Sequence, residues 1–173
     1  MRRASRSARS DPVGRRRITA GDHRPADKWI GLDMTDAETL LGRLFDEVIN
    51  KGNLDVTDEL FAADYVDHGP MGDMVGIESF KQLVAQWRAA VPDVHCDLSQ
   101  VFESGDLIGW LVHTTGTHTG DGLGFPATGK RFETVSANIG RMRDGKAVEH
   151  WAEQGMFPML VQLGMIPAPG IPA

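Results

Sequence analysis

The sequence predicts a single α+β domain, in which helices come first and an antiparallel sheet follows. Apolar residues recur at helical spacing over 40–49 and 77–87, whereas apolar and polar residues alternate after Pro92. Asp144-Gly145 stands between two alternating runs, as in a two-residue hairpin. Helices followed by a run of strands are typical of the α+β class.

The first 33 residues are predicted to be a disordered basic tail outside this domain. They hold nine Lys or Arg and four Asp, a net charge of +5, which leaves the rest of the chain nine basic and 20 acidic residues, a net charge of −11. The segment is charged and poor in apolar residues, and it therefore cannot bury enough apolar surface to become ordered. An alternative left open is that translation begins at Met34. The domain is expected over 34–166, with 167–173 as a frayed end.

Composition excludes several classes of partner and site. An acidic body repels nucleic acid, and no apolar run reaches the roughly 18 residues that cross a bilayer. Cys96 is the one cysteine, so no intrachain disulfide can form. We therefore expect a soluble, cytoplasmic protein with neither a nucleic acid nor a membrane as partner.

The helices are predicted from their ends as well as their periodicity. Thr35 with Glu38 three residues later forms a capping box, and Gly52 ends the first helix. The other elements expected before the sheet and after it are helices over 56–61, 77–91 and 155–163, a brief strand over 64–67 and a loop over 71–76.

Four strands are predicted by the alternation, over 93–103, 107–118, 131–143 and 146–153, with a turn at Ser104-Gly105-Asp106. If a type I′ turn at Asp144-Gly145 sets the register of the last two, Asn138 pairs with Trp151. Asn138, Glu149 and Trp151 then share one face and His150 takes the other. A bulge would reverse part of this assignment.

Four segments carry a resemblance to a known family. They are FAADYVDH at 61–68, TGTHTG at 115–120, GFPATGK at 124–130 and RMRDGKAVEHW at 141–151. In this order and spacing, residues 35–164 resemble the SnoaL-like polyketide cyclases of the NTF2-like superfamily.

The resemblance implies a fold and an activity. The fold is a cone in which N-terminal helices pack on a curved antiparallel sheet, often paired into a homodimer through the outer sheet face. The activity is intramolecular aldol ring closure of a small hydrophobic or aromatic carbonyl substrate, with a pocket carboxylate as acid/base and with neither a metal nor an organic cofactor. A non-catalytic ligand-binding protein and a dimeric interaction module remain alternatives, because one fold serves many functions.

The catalytic candidates are two histidines, an amide and a carboxylate: His68, His118, Asn138 and Glu149. Many relatives have Asp where this chain has Asn138, and an amide cannot take a proton near neutral pH. A histidine at the cavity rim could serve as base, and Asn138 could polarise a carbonyl. Each also has a purely structural interpretation, as a turn, corner or sheet residue. His118 is preferred over His113, which falls on the opposite pleat.

The substrate-binding candidates are aromatic: Tyr65, Trp110, Phe125 and Trp151. Trp151 would form a stacking wall against a flat ligand, and core packing is the alternative for both indoles. The glycine-rich segment 120–124 is expected to be a mobile flap at the cavity mouth. No histidine pair within an element has the spacing of a zinc site, so no metal site is expected.

Overall fold

A computed structural model of the chain describes residues 36–69, 72–122 and 124–170. The predicted tail over 1–33, the start at Met34 and the Thr35 cap lie outside these ranges, and the domain boundaries therefore stay a prediction. No helix within the described ranges is both long enough and apolar enough to cross a membrane.

The helices form where the periodicity predicts them. Helix α1 covers Asp36–Arg43 and continues as a π-helix over Leu44–Asn50. A 3₁₀ turn at Leu54–Val56 leads into the short α2 at Thr57–Leu60. Helix α3 spans Ile77–Ala90 and α4 spans Met156–Leu163.

The sheet has six strands in the order β2-β1-β6-β5-β4-β3. Their bounds are β1 Phe61–Gly69, β2 Gly72–Val75, β3 His95–Ser104, β4 Leu107–Thr117, β5 Arg131–Arg143 and β6 Lys146–Glu153. The four predicted strands are confirmed as β3 to β6, and the fold is α+β as predicted. Strands β1 and β6 pair in parallel, whereas the other neighbours are antiparallel.

The loop predicted over 71–76 is wrong, since Gly72–Val75 forms an edge strand. It pairs antiparallel with β1, with Val66 opposite Val75 and Gly69 opposite Gly72. The brief strand predicted over 64–67 is the middle of the nine-residue β1. Pairing between β1 and β2 stabilises both strands. Local periodicity cannot reveal this contribution, because it comes from a neighbouring strand.

The hairpin between β5 and β6 confirms the predicted turn, but the predicted register fails beyond it. Asp144 and Gly145 both have positive φ, and Arg143 faces Lys146. A register shift follows, so that Asn138 faces Ala152 and Trp151 faces Ile139.

The shift is a β-bulge at Val148, one extra residue in β6 between the partners of Arg141 and Met142. It turns every later side chain of β6 to the other face. His150 therefore points into the concave side with Asn138, and Trp151 points outward, the reverse of the prediction.

The segment after β4 is held against helix α3. The amides of Thr119 and Gly120 both donate to the Ala90 carbonyl, at 3.1 and 2.9 Å. A Cβ at Gly120 would lie 2.0 Å from the Ala89 carbonyl oxygen, so only glycine permits this approach. The start of the predicted flap is thus fixed in place, and mobility of the remainder stays a prediction.

Candidate functional site

A cavity of about 760 Å³ lies between the helices and the concave face of the sheet. Its walls are mostly apolar, from α1, α3 and the inward residues of β4, including Leu41, Leu44, Val84, Ile108 and Val112. Polar groups enter mainly from β1, β5 and β6. A volume of this size fits a small molecule of several rings.

Four polar side chains of this wall follow one another in close contact across three strands, and we refer to them as the polar chain. His150 Nδ1 lies 3.2 Å from Asp67 Oδ1, and its Nε2 lies 3.1 Å from Asn138 Oδ1. Asn138 Nδ2 in turn donates to Ser136 Oγ at 3.1 Å. The parallel pairing of β1 with β6 sets Asp67 beside His150, and the bulge at Val148 turns His150 inward.

Asp67 is the least solvated member of this chain. Its side chain is 3% exposed, and Oδ1 has no aligned hydrogen-bond donor in the described chain despite the short distance to His150. The contact with His150 is therefore close, but it is not aligned as a hydrogen bond. A buried carboxylate is costly unless a partner compensates it, and the adjacent imidazole can be that partner only when it is protonated.

Two aromatic residues flank the chain on the cavity side. Trp110 stacks on His150, with ring centroids 5.5 Å apart and planes 18° from parallel. Tyr65 is buried on β1, and burial, followed by the neighbouring Asp67 carboxylate, raises the pKa of its phenol. The phenol is therefore neutral and can donate a hydrogen bond, but it cannot serve as an anionic base.

A second polar cluster is centred on the opposite face of the same strands and reaches the cavity rim, where Asp73 and Glu149 border it. His68 stacks on Trp151 with centroids 4.9 Å apart, and its Nδ1 lies 2.9 Å from Asp73 Oδ1. Glu149 binds Arg141 at 2.6 Å and lies 3.6 Å from His68 Nε2, too far for a hydrogen bond. The hydrogen bond to Asp73 is the main cause that raises the pKa of His68.

His118 is fully buried behind the cavity wall and does not line it. Its Nδ1 faces Thr128, with the Oγ1 hydroxyl at 3.2 Å and the backbone amide donating at 3.3 Å. The ring also meets Phe125 edge-on at 5.2 Å between centroids. His118 therefore anchors the segment that brings Phe125 to the cavity.

The structure brings together only part of the predicted site. Four predicted residues line the cavity: Asn138, Trp110, Tyr65 and Phe125. Glu149 borders the cavity, but its carboxylate forms an ion pair with Arg141. The predicted cavity position of Trp151 is wrong, because the bulge places it on the outer face. The outward position predicted for His150 is wrong for the same reason.

Three residues of the polar chain, Asp67, Ser136 and His150, were missed as site residues. Asp67 and Ser136 are absent from the predicted set of site residues, and His150 was assigned to the outer face. The alternation along β1, which buries Tyr65 and Asp67 together, is the signal that could have identified Asp67. No feature of the sequence marks the bulge that reorients His150. Residues 36–69, 72–122 and 124–170 contain no group of three or more His, Cys, Asp or Glu arranged to hold a metal ion.

Comparisons with known proteins agree with this geometry. A family model described as SnoaL-like polyketide cyclase matches residues 39–163. The chain is 28% identical over 108 residues to aklanonic acid methyl ester cyclase DnrD of Streptomyces peucetius, covering 60% of this chain and 74% of that one. It is 29% identical over 118 residues to nogalonic acid methyl ester cyclase of Streptomyces nogalater, covering 66% and 88%. The solved structure of TsrD from Streptomyces laurentii superposes with a TM-score of 0.71 at 26% identity, covering 78% of this chain and 99% of that one.

Proposed function

Because the chain belongs to the SnoaL-like polyketide cyclase family, we propose that it closes a ring in an aromatic polyketide methyl ester by an intramolecular aldol reaction. The observation that carries the proposal is the Asp67–His150–Asn138 chain on the wall of an otherwise apolar cavity. The apolar walls suit a fused-ring substrate, and the chain supplies a titratable group where that substrate would lie.

His150 is the proposed base. It takes a proton from the carbon between two carbonyl groups, and the resulting enolate carbon attacks a ketone carbon of the same molecule. The new alkoxide then takes a proton back from the imidazolium, so that no atom is gained or lost. Histidine suits both steps because its ordinary pKa lies near neutral pH.

Asp67 is the proposed partner of the imidazolium. A carboxylate at Nδ1 fixes the orientation of the ring and stabilises the positive charge that forms when Nε2 takes the proton. Alignment of this contact is expected to improve when substrate fills the cavity, since catalytic hydrogen bonds are often poorly formed in the free enzyme.

Asn138 has a role that an aspartate at the same position could not fill. At rest its Oδ1 accepts from Nε2–H, because Nδ2 donates to Ser136. Substrate therefore has to displace Asn138, with the imidazole proton on Nδ1 beside Asp67, before the single lone pair of Nε2 can take a proton from carbon. After the transfer Asn138 can again accept from Nε2–H, and its amide does not compete for the proton. On this proposal, the replacement of the usual Asp by Asn138 moves the base to His150 and does not abolish the reaction.

The test is turnover of nogalonic acid methyl ester by the purified full chain, followed by absorbance and by chromatography with mass detection. The expected product has unchanged mass and a new retention time. Asp67→Asn should lower kcat on the order of 100-fold, within the usual range for acid/base groups. Asp97→Asn is the matched control, since Asp97 is half-exposed on β3. Binding of the ester without any product would instead indicate a non-catalytic ligand-binding protein.

The homodimer implied by the family resemblance is proposed to form through the outer face of the sheet. Phe102, Val135 and Ile139 are exposed there to 64%, 54% and 47%. Such a cluster of exposed apolar side chains marks an interaction surface. Light scattering should give twice the chain mass, and Ile139→Lys should lower it to that of one chain. Val75→Lys on the edge strand introduces the same charge at a residue that is more exposed, at 65%, and should leave the dimer intact.

A further inference from the structure

One buried polar atom of a residue that lines the cavity has no part in the chain just described. Trp110 is 5% exposed and lines the cavity, and its indole Nε1 is buried without a hydrogen-bond partner in the described parts of the chain. A buried donor without an acceptor destabilises the fold, and native proteins rarely retain one without a role. An indole N–H can only donate, so the missing partner has to be an acceptor.

The position of this indole relates it directly to the proposed base. Trp110 and Asn138 are paired across β4 and β5, and the indole leans diagonally so that it stacks on His150 at 5.5 Å. A base that takes a proton from carbon needs a donor at the neighbouring carbonyl oxygen, because the negative charge of the enolate develops there. The stacked imidazole and indole match the two requirements, because one can act as the base and the other can donate to the enolate oxygen.

Gly140 explains how the indole can lie there. Gly140 stands between Asn138 and Met142 on the inward side of β5, opposite His150. A Cβ at this position would lie 3.0 Å from Trp110 Cζ3 and 3.1 Å from Cη2. Both atoms belong to the six-membered ring, so the edge that carries Nε1 is turned away from Gly140. The indole rests on bare backbone, and any side chain there would displace it.

We propose, resting on the ring-closing function above, that the indole N–H of Trp110 donates the hydrogen bond that stabilises the enolate oxygen of the substrate, and that Gly140 is the positioning residue that holds the indole in place. The enolate oxygen accepts this hydrogen bond while His150 holds the transferred proton. The same interaction is weaker to the neutral carbonyl, which is the condition for lowering the barrier rather than merely binding substrate.

The kinetic test uses nogalonic acid methyl ester and the full chain. Trp110→Phe should lower kcat on the order of 100-fold, as for loss of one donor to an oxyanion, and change KM by only a few fold. Because phenylalanine also alters packing, a second variant carries β-(3-benzothienyl)alanine at position 110, in which sulfur replaces the N–H at nearly constant shape. It should show the same loss of kcat. A benzothienyl variant as active as wild type would overturn the inference while the ring-closing function stands.

Two further variants test whether the placement of the Trp110 indole matters, and not only the presence of an indole N–H. Gly140→Ala should lower kcat about tenfold with KM nearly unchanged, because displacement by a few tenths of an ångström weakens an aligned hydrogen bond. Trp151→Phe is the matched control, since it removes an indole N–H from the outer face of the adjacent strand and should leave kcat unchanged. Equal kcat for Gly140→Ala and wild type would refute the positioning role.

A binding experiment tests whether the Trp110 indole N–H donates a hydrogen bond to a carbonyl group, without any turnover of substrate. The probes are methyl anthraquinone-2-carboxylate and methyl anthracene-2-carboxylate, which have the same ring shape but differ in the ring carbonyl groups. With ¹⁵N-labelled protein, the Trp110 indole proton should shift further downfield with the quinone, whereas the Trp151 proton should respond equally to both. Should wild type close no ring, the proposed function fails; equal shifts of the Trp110 proton with the two probes would then, independently, overturn the hydrogen bond.

Discussion

Two histidines occupy opposite faces of one sheet, only one residue apart in their pairing positions. His150 on β6 points into the cavity, and His68 on β1 points away from it. Each has a carboxyl oxygen near Nδ1, from Asp67 at 3.2 Å inside the cavity and from Asp73 at 2.9 Å at its rim. By distance and alignment alone, the outer pair would be judged the better catalytic dyad.

Each histidine also stacks on an indole in almost parallel planes. The angle is 18° for His150 on Trp110 and 15° for His68 on Trp151. The difference lies in solvation, because Asp67 is 3% exposed and Asp73 is 58% exposed. Water screens the outer pair, whereas the inner pair acts in a medium where charges interact strongly. The same types of residue thus form a candidate active site on one face and a surface cluster on the other.

Removing each histidine in turn should separate the two faces most clearly. His150→Gln is expected to lower kcat with nogalonic acid methyl ester on the order of 1000-fold, because glutamine keeps a hydrogen bond but cannot carry the proton. His68→Gln is expected to change kcat less than about threefold, a range set by ordinary surface substitutions. Single-turnover absorbance measures both.

Circular dichroism would show whether each histidine variant is folded. The reverse ranking, with His68→Gln inactive and His150→Gln active, would move the base to the cavity rim, as the sequence-based prediction for His68 has it. Equal losses in both would mean that neither face alone carries the reaction.

The two indoles extend the contrast between the faces to stability. Trp110→Ala should lower the free energy of unfolding by about 3 kcal/mol, at the low end for large core side chains because one side already faces a cavity. Trp151→Ala should cost about 1 kcal/mol, since a half-buried indole loses mainly its contacts with His68 and with the Arg141 guanidinium, 5.9 Å above its ring. Urea denaturation of both variants measures the difference.

A larger cost for Trp151→Ala would contradict the assignment of this residue to the outer face. It would equally result if the outer face were covered in a dimer. Repeating the denaturation of Trp151→Ala in an Ile139→Lys background distinguishes these cases, because a dimer contribution should vanish there.

The fold could be predicted from the sequence because its signals are local. The periodicity of α1 and α3, the alternation of β3 to β6 and the turn at Asp144-Gly145 each depend on neighbours along the chain. The edge strand β2 could not be predicted, since four residues without an apolar pattern are a strand only beside β1.

The site was harder to predict because one residue decides it. The bulge at Val148 exchanges the faces of His150 and Trp151. The strands and the turn were predicted correctly, but the wrong β6 side chains were therefore assigned to the cavity wall. The chain from Asp67 to His150 also depends on parallel pairing between β1 and β6, which lie far apart in the sequence. The sequence indicates which types of residue form the site, but it does not show which face of the sheet each side chain occupies.

A smaller difference concerns pH and the outer histidine. The hydrogen bond to Asp73, followed by the charges of Asp73 and Glu149, raises the pKa of His68 above its ordinary value of about 6.5. Protonated His68 therefore stabilises the folded state fully below about pH 6.5, and this contribution is lost as pH rises through the raised pKa of the folded state. The difference in Tm between wild type and His68→Gln should accordingly be larger at pH 5.5 than at pH 9, and of a size typical of exposed ion pairs.

Asp73 provides the control, because it is the main cause of the raised pKa. In an Asp73→Asn background, the pH dependence of the Tm change caused by His68→Gln should largely disappear, leaving the smaller effect of Glu149 at 3.6 Å. Thermal unfolding of wild type, the two single variants and the double variant at both pH values completes the cycle. A Tm difference that grows with pH would mean that neutral His68 is the stabilising form, and the outer cluster would then resemble the inner one in burial rather than differing from it.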